Sequence, residues 1–193
     1  ENMSQIFRIG CQACTPARYP LQSNVKDSAM IAITALDGSP ISSLCFGTMQ
    51  FGGNADDAAA AGMYAACREA GVNFFDTAHT YTGGKSETML GKLAASERAK
   101  LIIATKVSFD DGMSAPVVHR SVDDSRKRLG MDVLDILYLH RWDEDVPLEE
   151  TFGALAKYVD DGTARHVDDH RVGLHRGEDP RVDQPARLVG QRA

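Results

Sequence analysis

The sequence predicts an α/β fold built on a parallel sheet, and three observations carry that reading. Nearly unbroken apolar runs alternate with amphipathic stretches, the alternation repeats four times between residues 43 and 161, and glycines follow three of the amphipathic stretches. Strands covered on both faces read as continuous apolar runs. Helices between them require right-handed crossovers, so the sheet is either doubly wound or closed into a barrel.

Each element has its own signal. IAITAL, then Asp37-Gly38, then ISSLCF reads as a β-hairpin, because Asp-Gly supplies the positive φ that a tight turn needs. The apolar runs 43–48 (SLCFGT), 73–77 (NFFDT), 101–107 (LIIATKV) and 134–140 (LDILYLH) are the strands. The helices are expected at 56–70, 86–95, 115–129 and 147–161. Two of them carry the same apolar stripe, Val118, Val122, Ser125 and Leu129 in one and Leu148, Phe152, Leu155 and Val159 in the other. Gly71, Gly130 and Gly162 mark helix ends, and Pro147 sits where a first turn tolerates proline. A fifth unit begins at 164–167.

Composition narrows the function. The 193 residues are 43% hydrophobic and 25% charged, as in an ordinary globular domain. A net charge of -6 and a pI near 5.5 argue against nucleic acid or an anionic membrane as partner and leave a small molecule as the expected one. No run approaches the roughly 18 apolar residues of a membrane span, and the first 29 residues lack a secretory signal pattern, so a cytoplasmic location is expected. Cys45 and Cys67 lie in apolar stretches as buried thiols, and the lone pair Cys11 and Cys14 makes neither a zinc site nor a redox motif.

Titratable residues stand at three predicted strand ends. Asp76 closes NFFD, with Tyr81 just beyond it; Lys106 lies near the end of LIIATKV; His140 ends LDILYLH. Each alone has a bland account as a turn former, a solvated charge, a capping residue or a packed loop aromatic. In a parallel barrel, however, these ends open onto one face, where active sites of that architecture sit. His79, His140 and Asp76 lack tight ligand spacing, so no metal is expected. GGKS at 83–86 lacks the first glycine of a phosphate loop, because His79 occupies its position.

The set resembles the aldo/keto reductase superfamily: LCFGTMQFGG at the first strand, DTAHTY followed by GGKSETMLG, then ATKV, then YLHRWD. The resemblance runs from about Met30 to Arg165. It implies the N-terminal half of a (β/α)8 TIM-type barrel, preceded by the β-hairpin and flanked by disordered N- and C-terminal extensions. It also implies oxidoreductase chemistry, an aldehyde or ketone reduced by hydride transfer from NADP(H) or NAD(H). The family's tetrad matches Asp76, Tyr81, Lys106 and His140. Tyr81 would be the proton donor, Lys106 the cation that eases loss of its proton, Asp76 the partner that holds Lys106, and His140 the group that orients the carbonyl or shares the proton work. Gly47, Thr48 and Met49 stand where family members approach the cofactor, with Asp76 beside them. Arg141 and Trp142 would line the mouth, Trp142 contacting substrate.

On that basis residues 1–29 are an unpatterned leader, 30–165 a partial reductase barrel and 166–193 a non-homologous tail. From Arg165 onward the chain has six arginines, three histidines, no lysine and no aromatic residue, a composition unable to offset its ordering entropy. A shift of reading frame near His166 would explain it, truncating the barrel after about four of eight units. Such a fragment would expose a sheet edge and favour self-association. The alternative to a working reductase is therefore a catalytically inactive chain that keeps the tetrad but cannot hold the cofactor.

Overall fold

A computed structural model of the chain describes residues 6–8, 33–108 and 110–169. Six strands form one sheet in sequence order, β1 (Ile6–Arg8), β2 (Leu44–Gly47), β3 (Phe74–Asp76), β4 (Ile102–Val107), β5 (Leu134–Leu139) and β6 (Ala164–Asp169). From β2 to β6 every pairing is parallel, and β1 lies antiparallel on the outer side of β2, with Phe7 opposite Cys45. Four helices connect or follow the parallel strands: α1 (Asp57–Glu69), α2 (Lys85–Ala94), α3 (Ala115–Leu129) and α4 (Leu148–Asp160). This is the strand–helix succession of the first half of a (β/α)8 barrel.

The expected hairpin is present in short form, closed by a bridge between Thr34 and Pro40 with the turn at Asp37 and Gly38. Asp37 accepts from both the backbone N–H and the hydroxyl of Ser39, which fixes that turn. Two expectations shift at the ends. Ile6–Arg8 of the leader pairs as a strand and so covers an edge of β2 that would otherwise expose unpaired backbone groups. At the other end β6 continues past His166 to Asp169. The rest of the predicted disordered extensions, 1–5, 9–29 and 170–193, falls outside the described residues.

The two faces of the sheet bury different things. Against the helices, Phe46, Phe75, Ile103, Leu137 and Leu139 pack on Leu90, Val118, Val122, Leu129 and Leu155. On the other face Phe74, Ile102, Ala104 and Ile136 form a second cluster, with Ile33 and Ile41 of the hairpin packed against it. Because side chains alternate along a strand, the residues that follow on this second face are Asp76, Lys106, Tyr138 and, one step beyond β5, His140. The register agrees: Gly47 pairs with Asp76, Asp76 with Ala104, and Lys106 with Tyr138. The hairpin seals the apolar end of the face, and the polar residues gather at the other, where the strands finish.

The helix α3 buries the expected stripe, with Ser121 added to Val118, Val122, Ser125 and Leu129. In α4 the buried set is Thr151, Ala154, Leu155 and Tyr158, rotated from the expected Leu148, Phe152, Leu155 and Val159. Hydrogen bonds decide the rotation. Thr151 donates to the Met113 carbonyl at 2.9 Å, and the Tyr158 hydroxyl meets His119 Nδ1 at 2.8 Å, so two amphipathic residues turn inward and Leu148 stays exposed.

Candidate active site

The loop after β3 decides where the site forms. Its first residues run back across the sheet: the Thr77 N–H donates to the Ala104 carbonyl at 2.9 Å and the His79 N–H to the Lys106 carbonyl at 3.1 Å. A short 3₁₀ turn at Tyr81–Gly84 then reverses the chain into α2 through three successive left-handed residues, Thr82, Gly83 and Gly84. Thr82 is the non-glycine among them, and its hydroxyl compensates by donating to backbone carbonyls at Phe51 and Tyr81, both 2.7 Å away, while accepting from the Ser86 N–H. The reversal holds Tyr81 over the end of β4.

Lys106 is buried and organises the centre. An ammonium has three donors and no acceptor, and all three are used: Asp76 Oδ1 at 2.5 Å, the Thr77 carbonyl at 2.8 Å and the Tyr81 hydroxyl oxygen at 3.1 Å. Lys106 Nζ also stands 4.7 Å from the centroid of the Tyr81 ring. The His140 ring meets the Tyr81 ring edge-on, with centroids 5.8 Å apart and planes at 85°. Asp76, Tyr81, Lys106 and His140, read from three strand ends and a loop, are thus brought together in one cluster.

Chemistry follows from the hydrogen-bond directions. The Tyr81 oxygen accepts from Lys106, so its own proton is available to another acceptor. A phenolate formed by losing that proton would sit beside the Lys106 ammonium, 3.1 Å away. Asp76 balances the ammonium, and the backbone carbonyl of Thr77 fixes its third direction.

The residues expected to meet a cofactor divide. Gly47 is exposed on the same sheet row as Asp76, and a Cβ added there would meet nothing within 4 Å, so the space beside the ion pair is open. Met49 is exposed and Thr48 fully buried. Thr48 belongs to a cluster of hydroxyls: its Oγ1 donates to the Asp76 carbonyl at 3.0 Å and lies 2.8 Å from Ser86 Oγ, which is 2.9 Å from Thr77 Oγ1. That cluster ties the turn after β2 to the turn after β3 and to the start of α2. Trp142, two residues beyond His140, is 50% exposed. Among the described residues no group of three or more His, Cys, Asp or Glu side chains is arranged to hold a metal. No helix among them is long and apolar enough to cross a membrane.

Several residues of the site were not singled out from sequence. Ser86 and Glu87 stand side by side at the start of α2 and both are fully buried. Glu87 accepts from the Thr105 hydroxyl at 2.6 Å and pairs with Arg128 at 3.0 Å. Arg128 also reaches the carbonyl and ring of His79, so His79 packs on a guanidinium. A signal was present, since Ser121, Ser125 and Arg128 share one helical face by their spacing of four and three.

Comparison with known proteins agrees with this fold. The Aldo/keto reductase family model matches residues 43–168, about two thirds of the chain. A probable voltage-gated potassium channel subunit beta from Arabidopsis thaliana is 36% identical over 137 residues, covering 66% of this chain and 42% of that protein. The rice protein of the same description is 35% identical over 137 residues, again 66% and 42%. Among solved structures, an aldo-keto reductase from Bacillus halodurans in its holo form superposes with a TM-score of 0.63 at 29% identity, covering 74% of this chain and 50% of that one. A thermostable aldo-keto reductase in complex with the inhibitor epalrestat gives 0.60 at 29%, covering 64% and 47%. The chain therefore spans half or less of the length of these relatives. With the family model reaching from the first parallel strand into β6, and with the fold of that family's first half around Asp76, Tyr81, Lys106 and His140, this chain belongs to the aldo/keto reductase family.

Proposed function

We propose that the site reduces the carbonyl group of an aldehyde or ketone to an alcohol, with Tyr81 as proton donor and NADPH or NADH as reductant. The observation that carries this reading is the use of all three Lys106 donors on Asp76, the Thr77 carbonyl and the Tyr81 oxygen. That arrangement supports proton release from the phenol and would serve little purpose in packing. When bound, a reduced nicotinamide supplies the hydride that becomes the new C–H bond. The open space beside Gly47, next to Asp76, fits a flat group approaching the ion pair; Gly47, Met49 and Asp76 would line it, with the buried Thr48 supporting Asp76 from behind.

The roles of the side chains follow. As negative charge develops on the carbonyl oxygen, Tyr81 transfers its proton there, and Lys106 stabilises the phenolate left behind. Asp76 holds Lys106 in place. His140, set edge-on to Tyr81, would orient the carbonyl oxygen toward the phenol. Trp142 would contact the organic part of the substrate from the loop beyond.

Titration of NADPH and NADH into the purified chain, followed by Trp142 fluorescence and calorimetric heat, tests the reading. Saturable binding of either, followed by oxidation of the bound nucleotide when an aldehyde is added, is the expected result. Heat and fluorescence that never saturate would instead favour the competing reading, a chain that carries the tetrad without retaining a cofactor.

A further inference from the structure

We propose that Arg128, on the helix side of the sheet and away from the reacting groups, is a positioning residue that sets where Tyr81 stands relative to Lys106. The proposal rests on the reductase reading for its kinetic arm alone.

Residues 77–84 carry two of the three acceptors of Lys106, the Thr77 carbonyl and the Tyr81 oxygen. The placement of this loop therefore fixes the ammonium and the phenol at once. Arg128 grips the loop in its middle. One terminal nitrogen, Nη1, donates to the His79 carbonyl at 2.9 Å and to Glu87 Oε2 at 3.0 Å, and the other, Nη2, lies 3.1 Å from His79 Nε2. A guanidinium only donates, so His79 Nε2 accepts and its imidazole is neutral. At its far end the loop presses on the same group: a Cβ on Gly84 would lie 2.7 Å from Arg128 Cζ, and Gly84 has φ +86°.

The guanidinium is itself held from below. Glu87 is fully buried, pairs with Arg128 through Oε2 and takes the Thr105 hydroxyl through Oε1 at 2.6 Å. Thr105 adjoins Lys106 on β4, and the Lys106 carbonyl receives the His79 N–H at 3.1 Å. A closed circuit thus runs from Lys106 through Thr105, Glu87, Arg128 and His79 back to Lys106. A planar fork that bonds a carboxylate, a carbonyl and a ring nitrogen together cannot be replaced by an ammonium, which is a point charge on a flexible stem. A residue that only balanced the charge of Glu87 would not need those bonds to His79.

The test uses the full chain with Arg128→Lys, which keeps the charge beside Glu87 but loses the fork, and the double variant Glu87→Gln with Arg128→Gln, which removes the charge pair together. Amide exchange is read at His79 and, as a reference, in α1. Positioning predicts that the His79 amide exchanges about tenfold faster in both variants while α1 is unchanged. It also predicts that kcat for carbonyl reduction falls by about one to two orders of magnitude, with the carbonyl KM and nucleotide affinity unchanged. Wild-type His79 protection and kcat in either folded variant would overturn the proposal, and so would failure of both to fold, which would assign Arg128 to the core. A wild-type chain that reduces no carbonyl removes the reductase reading but leaves the proposal to be decided by His79 exchange.

Discussion

Both ends of the sheet set a carboxylate against a cation, and the two arrangements are built to different ends. Where the strands begin, Asp135 is fully buried and every direction is filled. Its Oδ2 accepts from the Ile103 N–H at 2.9 Å and pairs with Arg98 at 2.7 Å, and its Oδ1 pairs with Arg165 at 3.2 Å. The guanidiniums continue into backbone carbonyls at Leu101, Val133 and Thr34, locking the hairpin to three strands. Where the strands finish, Asp76 holds the Lys106 ammonium, whose remaining donors go to a carbonyl and a phenol. The first cluster ends in groups that cannot change their protonation near neutral pH. The second ends in one that can give up a proton, and this difference separates a staple from a site.

The sharpest way to break the comparison is Tyr81→Phe. It removes the transferable proton and leaves the ring packed against His140 and Lys106. Loss of a general acid lowers kcat by about two to four orders of magnitude, while nucleotide binding and the urea unfolding midpoint are expected to stay at wild-type values. Retained turnover would show that the proton comes from elsewhere.

At the opposite end Asp135→Asn should do the reverse. Two guanidiniums lose their counter-charge in a buried setting, which costs about 3–5 kcal/mol of stability by urea unfolding. Below the temperature at which the variant unfolds, no catalytic change is expected beyond the fraction unfolded, because the bonds of Asp135 run to Ile103, Arg98 and Arg165. A neutral effect on stability would mean that the lower cluster is not the staple the geometry describes.

A smaller effect comes from pH. Burial, followed by the Arg128 charge, holds His79 below its ordinary value of 6.5, against the opposing pull of Glu87, Asp124 and Asp110. Burial, followed by Arg165, does the same to His166, against Asp135. A histidine depressed on folding binds its proton more readily when unfolded. The stability it contributes is therefore present above about 6.5 and declines as pH falls below that value toward the folded-state one. Urea midpoints measured between pH 7.5 and 5.5 should fall, and His79→Gln, which keeps a polar acceptor near Arg128, should flatten part of the fall. An unchanged slope in that variant would place the acid sensitivity in His166.

Legibility of the sequence follows the range of the interaction concerned. Helix 115–129 is found with the same bounds in the structure, because Pro116 in the first turn and Gly130 at φ +65° are local signals. The parallel strands β2 to β5 lie within the expected runs, since a buried parallel strand announces itself by continuous apolarity. Lys106, Asp76 and His140 stand out as charge at the ends of such runs. Ile6–Arg8 has no such mark: three residues pair with a strand nearly forty positions away, and no periodicity builds up over so short a segment. The inward turn of α4 depends on Thr151 and Tyr158 finding partners on Met113 and His119, which is a tertiary fact. The same holds for Arg128, whose role requires α3 to stand against α2 closely enough that a Cβ on Gly91 would come within 2.3 Å of the Leu129 carbonyl.

The smallest expected effect tests how far the site extends beyond its buried centre. Trp142 is half exposed, two residues past His140, so replacing it removes little buried surface, and Trp142→Ala should change stability by no more than about 0.5 kcal/mol, as for other surface positions. If its indole contacts the organic part of the substrate, the variant should raise KM most for bulky aromatic aldehydes, least for short aliphatic ones, and leave kcat unaltered, because the contact would be equal in the ground and transition states. A kcat loss with KM unchanged would place Trp142 in the positioning of His140 instead. Equal kinetics for all aldehydes would confine the site to Asp76, Tyr81, Lys106 and His140, with the loop after β5 contributing nothing to substrate choice.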